Sequence, residues 1–173
     1  MRRIVTATVR NQSGVLNRVT GVLAKRQFNI DSITVGRTEM EGISKMTFVV
    51  HVEDDRQAEQ LTKQLNKLID VIKVSDITDQ AIVARELVLI KVLSNAQTRS
   101  EIGGIVEPFR ASIIDVSRES ITIQVTGDTE KIEALIDLLK PYGIKEIART
   151  GLTAFLRGSQ KEVTNLSSYS LLK

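Results

Sequence analysis

From Arg3 to Arg10 apolar and polar side chains alternate, and Val5, Ala7 and Val9 fall on one face, as in a half-buried strand. Asn11-Gln12-Ser13-Gly14 interrupts the alternation with turn-forming residues. Val15, Leu16, Val19, Val22 and Leu23 then recur at helical spacing, which predicts an amphipathic helix to about Gln27. Ile30 to Arg37, rich in β-branched Ile30, Ile33, Thr34 and Val35, predicts a second strand. After a polar turn at Glu39–Gly42 comes a third strand, Ile43–Val52, with Met46, Phe48, Val50 and Val52 on one face. Asp54-Asp55 can cap the next helix, whose apolar stripe is Ala58, Leu61, Leu65 and Leu68. Val71–Ile77 closes the unit as a strand.

This order, β-α-β-β-α-β, is the ferredoxin-like split βαβ pattern. It returns roughly 80 residues later, as a repeated architecture does. The second set comprises a strand at Glu86–Leu93, a helix at Arg99–Phe109, strands at Ala111–Ser117 and Ile121–Thr126, a helix at Thr129–Lys140 and a strand at Ile144–Arg149. The expected fold is therefore α+β, two tandem ferredoxin-like βαββαβ modules at residues 1–78 and 84–158, joined near Asp79–Ala84. Residues 159–173 lack a sustained period and are expected to be a mobile tail. Each module is small, and each sheet keeps one face that its helices do not cover. A homodimer is the expected remedy.

Composition narrows the function. The chain has 173 residues and no cysteine, which excludes a disulfide framework and thiolate metal sites. No apolar run approaches the roughly 18 residues of a membrane span, and the first residues lack the pattern of a secretory signal. A cytoplasmic location is expected. The net charge is +3, and residues 79–173 carry 12 basic and 12 acidic side chains, so the excess forms no stripe. With aromatics at 3% and no Trp, a nucleic-acid partner is not expected.

Catalytic constellations are scarce. His51 is the single histidine and reads as a solvated or interface residue, so Cys/His and common zinc sets are excluded. Asp54-Asp55 suits capping better than paired acid–base chemistry. Gly103-Gly104 lies within a helical pattern without a downstream Lys-Ser/Thr, so it is no phosphate loop. It either allows close helix–sheet packing or weakens its helix.

Asn11-Gln12-Ser13-Gly14-Val15-Leu16 is more informative, because it joins the first strand to the first helix. The first N–H groups of a helix lack intrahelical partners and carry the positive end of its dipole, a ready place for a carboxylate. Gly14 allows close approach to the backbone, and Asn11 offers both a donor and an acceptor, which suits a zwitterion. The plain alternative is an ordinary helix start capped by Ser13. Asn29, after Phe28, is either a helix stop in left-handed conformation or a second amide facing a ligand.

These residues carry a resemblance. Val9 to Val35, V-R-N-Q-S-G-V-L-N-R-V-T-G-V-L-A-K-R-Q-F-N-I-D-S-I-T-V, resembles an ACT domain, and more narrowly that of the small regulatory subunits of acetolactate synthase (acetohydroxyacid synthase). S-K-M-T-F-V-V, the Gln64–Val74 stretch, R-E-L-V-L-I-K-V at Arg85–Val92, F-R-A-S-I-I-D-V at Phe109–Val116 and K-E-I-A-R-T-G at Lys145–Gly151 extend it over about residues 1–158. The resemblance implies an ACT domain in the first module and valine, or a related branched-chain amino acid, held between two ACT domains of a homodimer. One copy would contribute Asn11, Gly14, Val15 and Leu16, and the other Asn29 and Ile30. It implies no catalytic residue, metal or cofactor in this chain. A large catalytic subunit would carry thiamine diphosphate, Mg²⁺ and FAD, and the small subunit would activate it and confer feedback inhibition. A free-standing amino-acid sensor is the alternative. Many ACT domains have an acidic residue before the loop and Pro before the Gly; here these are Arg10 and Ser13, and Gln27 stands where Gly is common.

Overall fold

The computed structural model describes residues 1–158; the expected tail lies outside the described residues. The chain divides into two compact units, Met1–Val83 with the described residues from Ala154, and Ala84–Thr153.

The first unit contains β1 (Arg2–Arg10), α1 (Val15–Lys25), β2 (Asn29–Arg37), β3 (Ile43–His51), α2 (Asp55–Asn66) and β4 (Val71–Asp76). Its sheet has the order β2-β3-β1-β4, with antiparallel neighbours. Val5 pairs with Phe48, and Ala7 lies between Met46 and Val74. Opposed residues share a face, so these positions form one apolar surface. Val15, Val19 and Leu23 of α1 and Ala58, Leu61 and Leu65 of α2 close over it. Each fully buried side chain of Val or Leu size contributes about 1.5–3 kcal/mol relative to exposure. The helix-distal face is less open than expected: Thr6, Thr47 and Val49 at its centre are also buried.

The helix ends follow from local chemistry. Asp54 caps α2 by accepting from the Gln57 N–H at 2.8 Å, and Gln57 Oε1 accepts from the Glu53 N–H at 2.6 Å. At the end of α1 the Gln27 N–H donates to the Ala24 carbonyl and the Phe28 N–H to the Leu23 carbonyl. These two bonds make a Schellman ending, and Phe28 is buried beside Leu23 as that motif favours. The left-handed residue is Gln27, with φ 57°, rather than Asn29, which already belongs to β2. The helix thus stops at Lys25, two residues short of the expected Gln27.

The second unit repeats the topology with β5 (Ile82–Leu93), α3 (Thr98–Val106), β6 (Ser112–Val116), β7 (Ser120–Gly127), α4 (Thr129–Leu139) and β8 (Ile144–Arg149). The order β6-β7-β5-β8 matches that of the first sheet strand for strand. Its core joins Val88, Ile90, Ile121 and Ile123 to Ile102, Ile132 and Leu135 from the helices.

Two features depart from expectation, and a third decides between two alternatives. The α-helix ends at Val106 instead of Phe109, because Pro108 has no N–H to continue the ladder, and Glu107–Phe109 tightens into a 3-10 turn. β5 starts at Ile82 rather than Glu86, and an unexpected strand β9 (Thr153–Leu156) pairs with it. A Cβ added at Gly103 or Gly104 would meet nothing within 4 Å. The pair therefore serves no close packing, and each glycine weakens α3.

Candidate functional site

The corner between β1 and α1 is held from both sides. The Arg10 N–H donates to the Asp70 carbonyl at 2.8 Å, and the Asn11 N–H to the Gly42 carbonyl at 2.7 Å. Gln12 N–H turns back to the Arg10 carbonyl, which swings the chain away from the sheet edge. Gly14 occupies the position just before the helix, with φ 82° and ψ −9°. That left-handed conformation suits glycine and strains other residues. Val15 N–H bonds to the Gln12 carbonyl at 3.3 Å, and among the described residues no side chain caps α1. Ser13 is thus not the cap that a plain helix start would need. Among the described residues, the N-terminal end of α1 presents its dipole and the amide hydrogens after Val15 without a carboxylate or hydroxyl oxygen to meet them.

Of the expected site residues, Asn11, Gly14 and Leu16 gather at this corner. Asn11 is exposed, and so is the Leu16 side chain, at 46%. Val15 sends its side chain into the core, so only its backbone faces the corner. Asn29 and Ile30 lie elsewhere. Asn29 opens β2 opposite His51, which pairs with Arg2 at the start of β1, whereas Asn11 follows Arg10 at the other end of β1. Eight strand steps separate the two ends, roughly 26 Å at the usual rise. Asn29 is exposed, and Ile30 is half-buried against the core. One chain therefore cannot bring Asn11 and Asn29 to the same small molecule.

Two residues at the corner were not singled out from the sequence. Arg18, one turn into α1, donates from Nε to Asp70 Oδ2 at 2.8 Å, and its Nη2 lies 2.6 Å from the same oxygen. The Asp70 side chain is 9% exposed and that of Arg18 48%. Fifty-two positions separate the partners, so no local pattern announces the pair. The Gly14–Arg18 spacing was the available clue, since residues four apart stack on one helix face.

The other candidates take no part here. His51 is largely exposed, with Nδ1 3.0 Å from Asp31 Oδ1, as a solvated histidine would be. Among the described residues no cluster of three or more His, Asp or Glu is placed to hold a metal, and no helix is long and apolar enough to cross a membrane.

Comparison with known proteins agrees with this architecture. A family model for the AHAS small subunit-like ACT domain matches residues 6–73, and one for the small subunit of acetolactate synthase matches residues 85–158. The acetolactate synthase small subunit of Bacillus subtilis is 65% identical over 172 residues, covering 99% of this chain and all of that protein. A probable acetolactate synthase small subunit of Archaeoglobus fulgidus is 52% identical over 161 residues, 93% of this chain and all of its own. The crystal structure of the small subunit from Thermotoga maritima superposes with a TM-score of 0.82 at 42% identity, covering 91% of this chain and 98% of that one. With both modules matched and a relative aligned along nearly its whole length, the chain belongs to the family of acetolactate synthase small subunits.

Proposed function

We propose that this chain is the regulatory subunit of an acetolactate synthase: it activates a large catalytic subunit and makes that subunit sensitive to valine. The observation that carries the reading is the uncapped start of α1 at left-handed Gly14. The ligand carboxylate meets the free N–H groups there, where the helix dipole favours negative charge. The amide oxygen of Asn11 takes the ammonium, and Leu16 offers apolar surface to the side chain. Asn29 and Ile30 come from a second copy, because their own chain holds them roughly 26 Å from the corner by strand rise. A homodimer joined through the first module therefore completes two equivalent sites. β2, which begins with Asn29, stands at the end of the strand order and is the strand through which that pairing would run.

The catalytic subunit carries thiamine diphosphate, Mg²⁺ and FAD, and condenses pyruvate with a second pyruvate or with 2-oxobutyrate. Regulation is linkage between two binding equilibria. Valine favours one arrangement of the small-subunit pair and the catalytic partner favours another. Each then changes the affinity of the other by the same coupling free energy, typically about 1–3 kcal/mol. Valine, leucine and isoleucine differ by one methylene or its placement, so discrimination among them is limited to about 1–3 kcal/mol.

Calorimetry with valine, leucine and isoleucine on the isolated chain, together with acetolactate formation by the large subunit with and without it, tests the reading. Saturable binding of one of these amino acids, and stimulation of the large subunit that the same amino acid reverses, are expected. A large subunit whose rate is indifferent to this chain would refute the proposal.

A further inference from the structure

We infer that Arg18 is the carboxylate-binding side chain of the β1–α1 corner and that Asp70 holds it in place; the inference rests on the amino-acid site proposed above. A guanidinium has five N–H donors in a fixed plane. Asp70 engages the Nε hydrogen and one on Nη2, both through Oδ2, at 2.8 and 2.6 Å. Three donors remain, and the two on Nη1 face Gly14. A Cβ built on Gly14 would lie 3.1 Å from Nη1, closer than side-chain contacts normally allow. The Arg18 guanidinium therefore lies directly beside the space that a side chain at position 14 would enter. Gly14 is favoured there by its left-handed backbone, and a side chain at that position would also make the guanidinium give by a few tenths of an ångström.

The geometry sets Arg18 where an anion at the helix start would meet it. Side chains of a helix lean toward its N-terminus, so a residue four positions in reaches back over the first turn. Asp70 is the element that makes this reach permanent. Its backbone carbonyl receives the Arg10 N–H at the end of β1, and its buried carboxylate receives Arg18. One residue thus fixes both walls of the corner. The ion pair is neutral as a whole, and its positive partner is the more exposed one, at 48% against 9% for Asp70, beside the start of α1. Arg18 also supplies charge at a site that lacks a cap and where Arg10 stands in place of an acid.

The test compares valine with valinamide, which keeps the ammonium and side chain but has no carboxylate. Calorimetry is carried out on the full chain, on Arg18→Met and on the double variant Arg18→Met/Asp70→Asn. The double variant removes the buried carboxylate that a lone Arg18 substitution would leave unpaired, and so protects the fold. The unaltered chain is expected to prefer valine, and both variants to lose about tenfold or more of that preference, the size of a charge-assisted hydrogen bond. Equal weakening toward both ligands, or an unchanged preference, would overturn the role of Arg18 while leaving the amino-acid site intact. Failure of the unaltered chain to bind valine, leucine or isoleucine would overturn the site and Arg18 with it.

Discussion

The corner from the first strand to the first helix of a module is built once in each module, at the start of α1 and at the start of α3, and the two are finished differently. At α3, Asn95 Oδ1 accepts from the Gln97 and Thr98 N–H groups at 2.9 Å each, and the Asn95 N–H donates to Thr98 Oγ1 at 3.0 Å. The two residues satisfy one another much as a capping box does. At α1 the equivalent donors find no side chain among the described residues, and a left-handed glycine stands where the cap would be. A hollow of about 450 Å³ lies beside the second corner, lined by Leu93, Asn95, Thr98, Arg118 and Tyr142 among others. Its size does not make it the better candidate. An amide hydrogen already engaged by Asn95 has nothing left to offer a carboxylate, whereas an unengaged one retains its full attraction. Local satisfaction, more than concavity, separates two corners of the same topology.

The comparison can be broken most sharply at Gly14. Gly14→Asp places a carboxylate against Arg18 Nη1, where it competes with Asp70 for the guanidinium and repels an incoming carboxylate. The expected result is at least about a tenfold loss of affinity for valine by calorimetry. Binding as tight as before would remove the first corner from consideration. Asn95→Ala should cost the protein about 1 kcal/mol in urea denaturation, the usual value of a lost helix cap, with valine affinity unchanged. A change in affinity there would mean that the second corner takes part in the site. The smallest effect belongs to Gly104→Ala. Position 104 is an exposed helical site where a Cβ meets nothing, so a gain of about 0.5–1 kcal/mol is expected in the same denaturation assay.

The apolar period of each helix and strand was sufficient to place both modules, since Val5, Val19, Phe48, Ile90, Ile123 and Leu135 are all fully buried. Features that depend on partners far along the chain were not legible. β5 extends back to Ile82 and pairs with β9 some 70 positions later, a contact that no local window contains. Helix ends were readable only where they used a side-chain signal. Asp54 announced α2 correctly, but Gln27 is not a residue that marks a left-handed stop, and the burial of Phe28 against Leu23 imposes it there. The site was half visible in the same sense. Asn11 and Gly14 stood out by residue type, while Arg18 and Asp70 acquire meaning only when β4 brings its leading residue beside the end of β1.

Under the two-chain site, the distance between Asn11 and Asn29 within one module has a genetic consequence. Every pocket draws one half from each partner, so lesions in different halves sort independently when chains are mixed. A mixed pair with Gly14 altered in one chain and Asn29 altered in the other would carry both defects in one pocket and none in its twin. Two individually insensitive alleles would then restore partial feedback when expressed together, as separate proteins with self-contained sites never do.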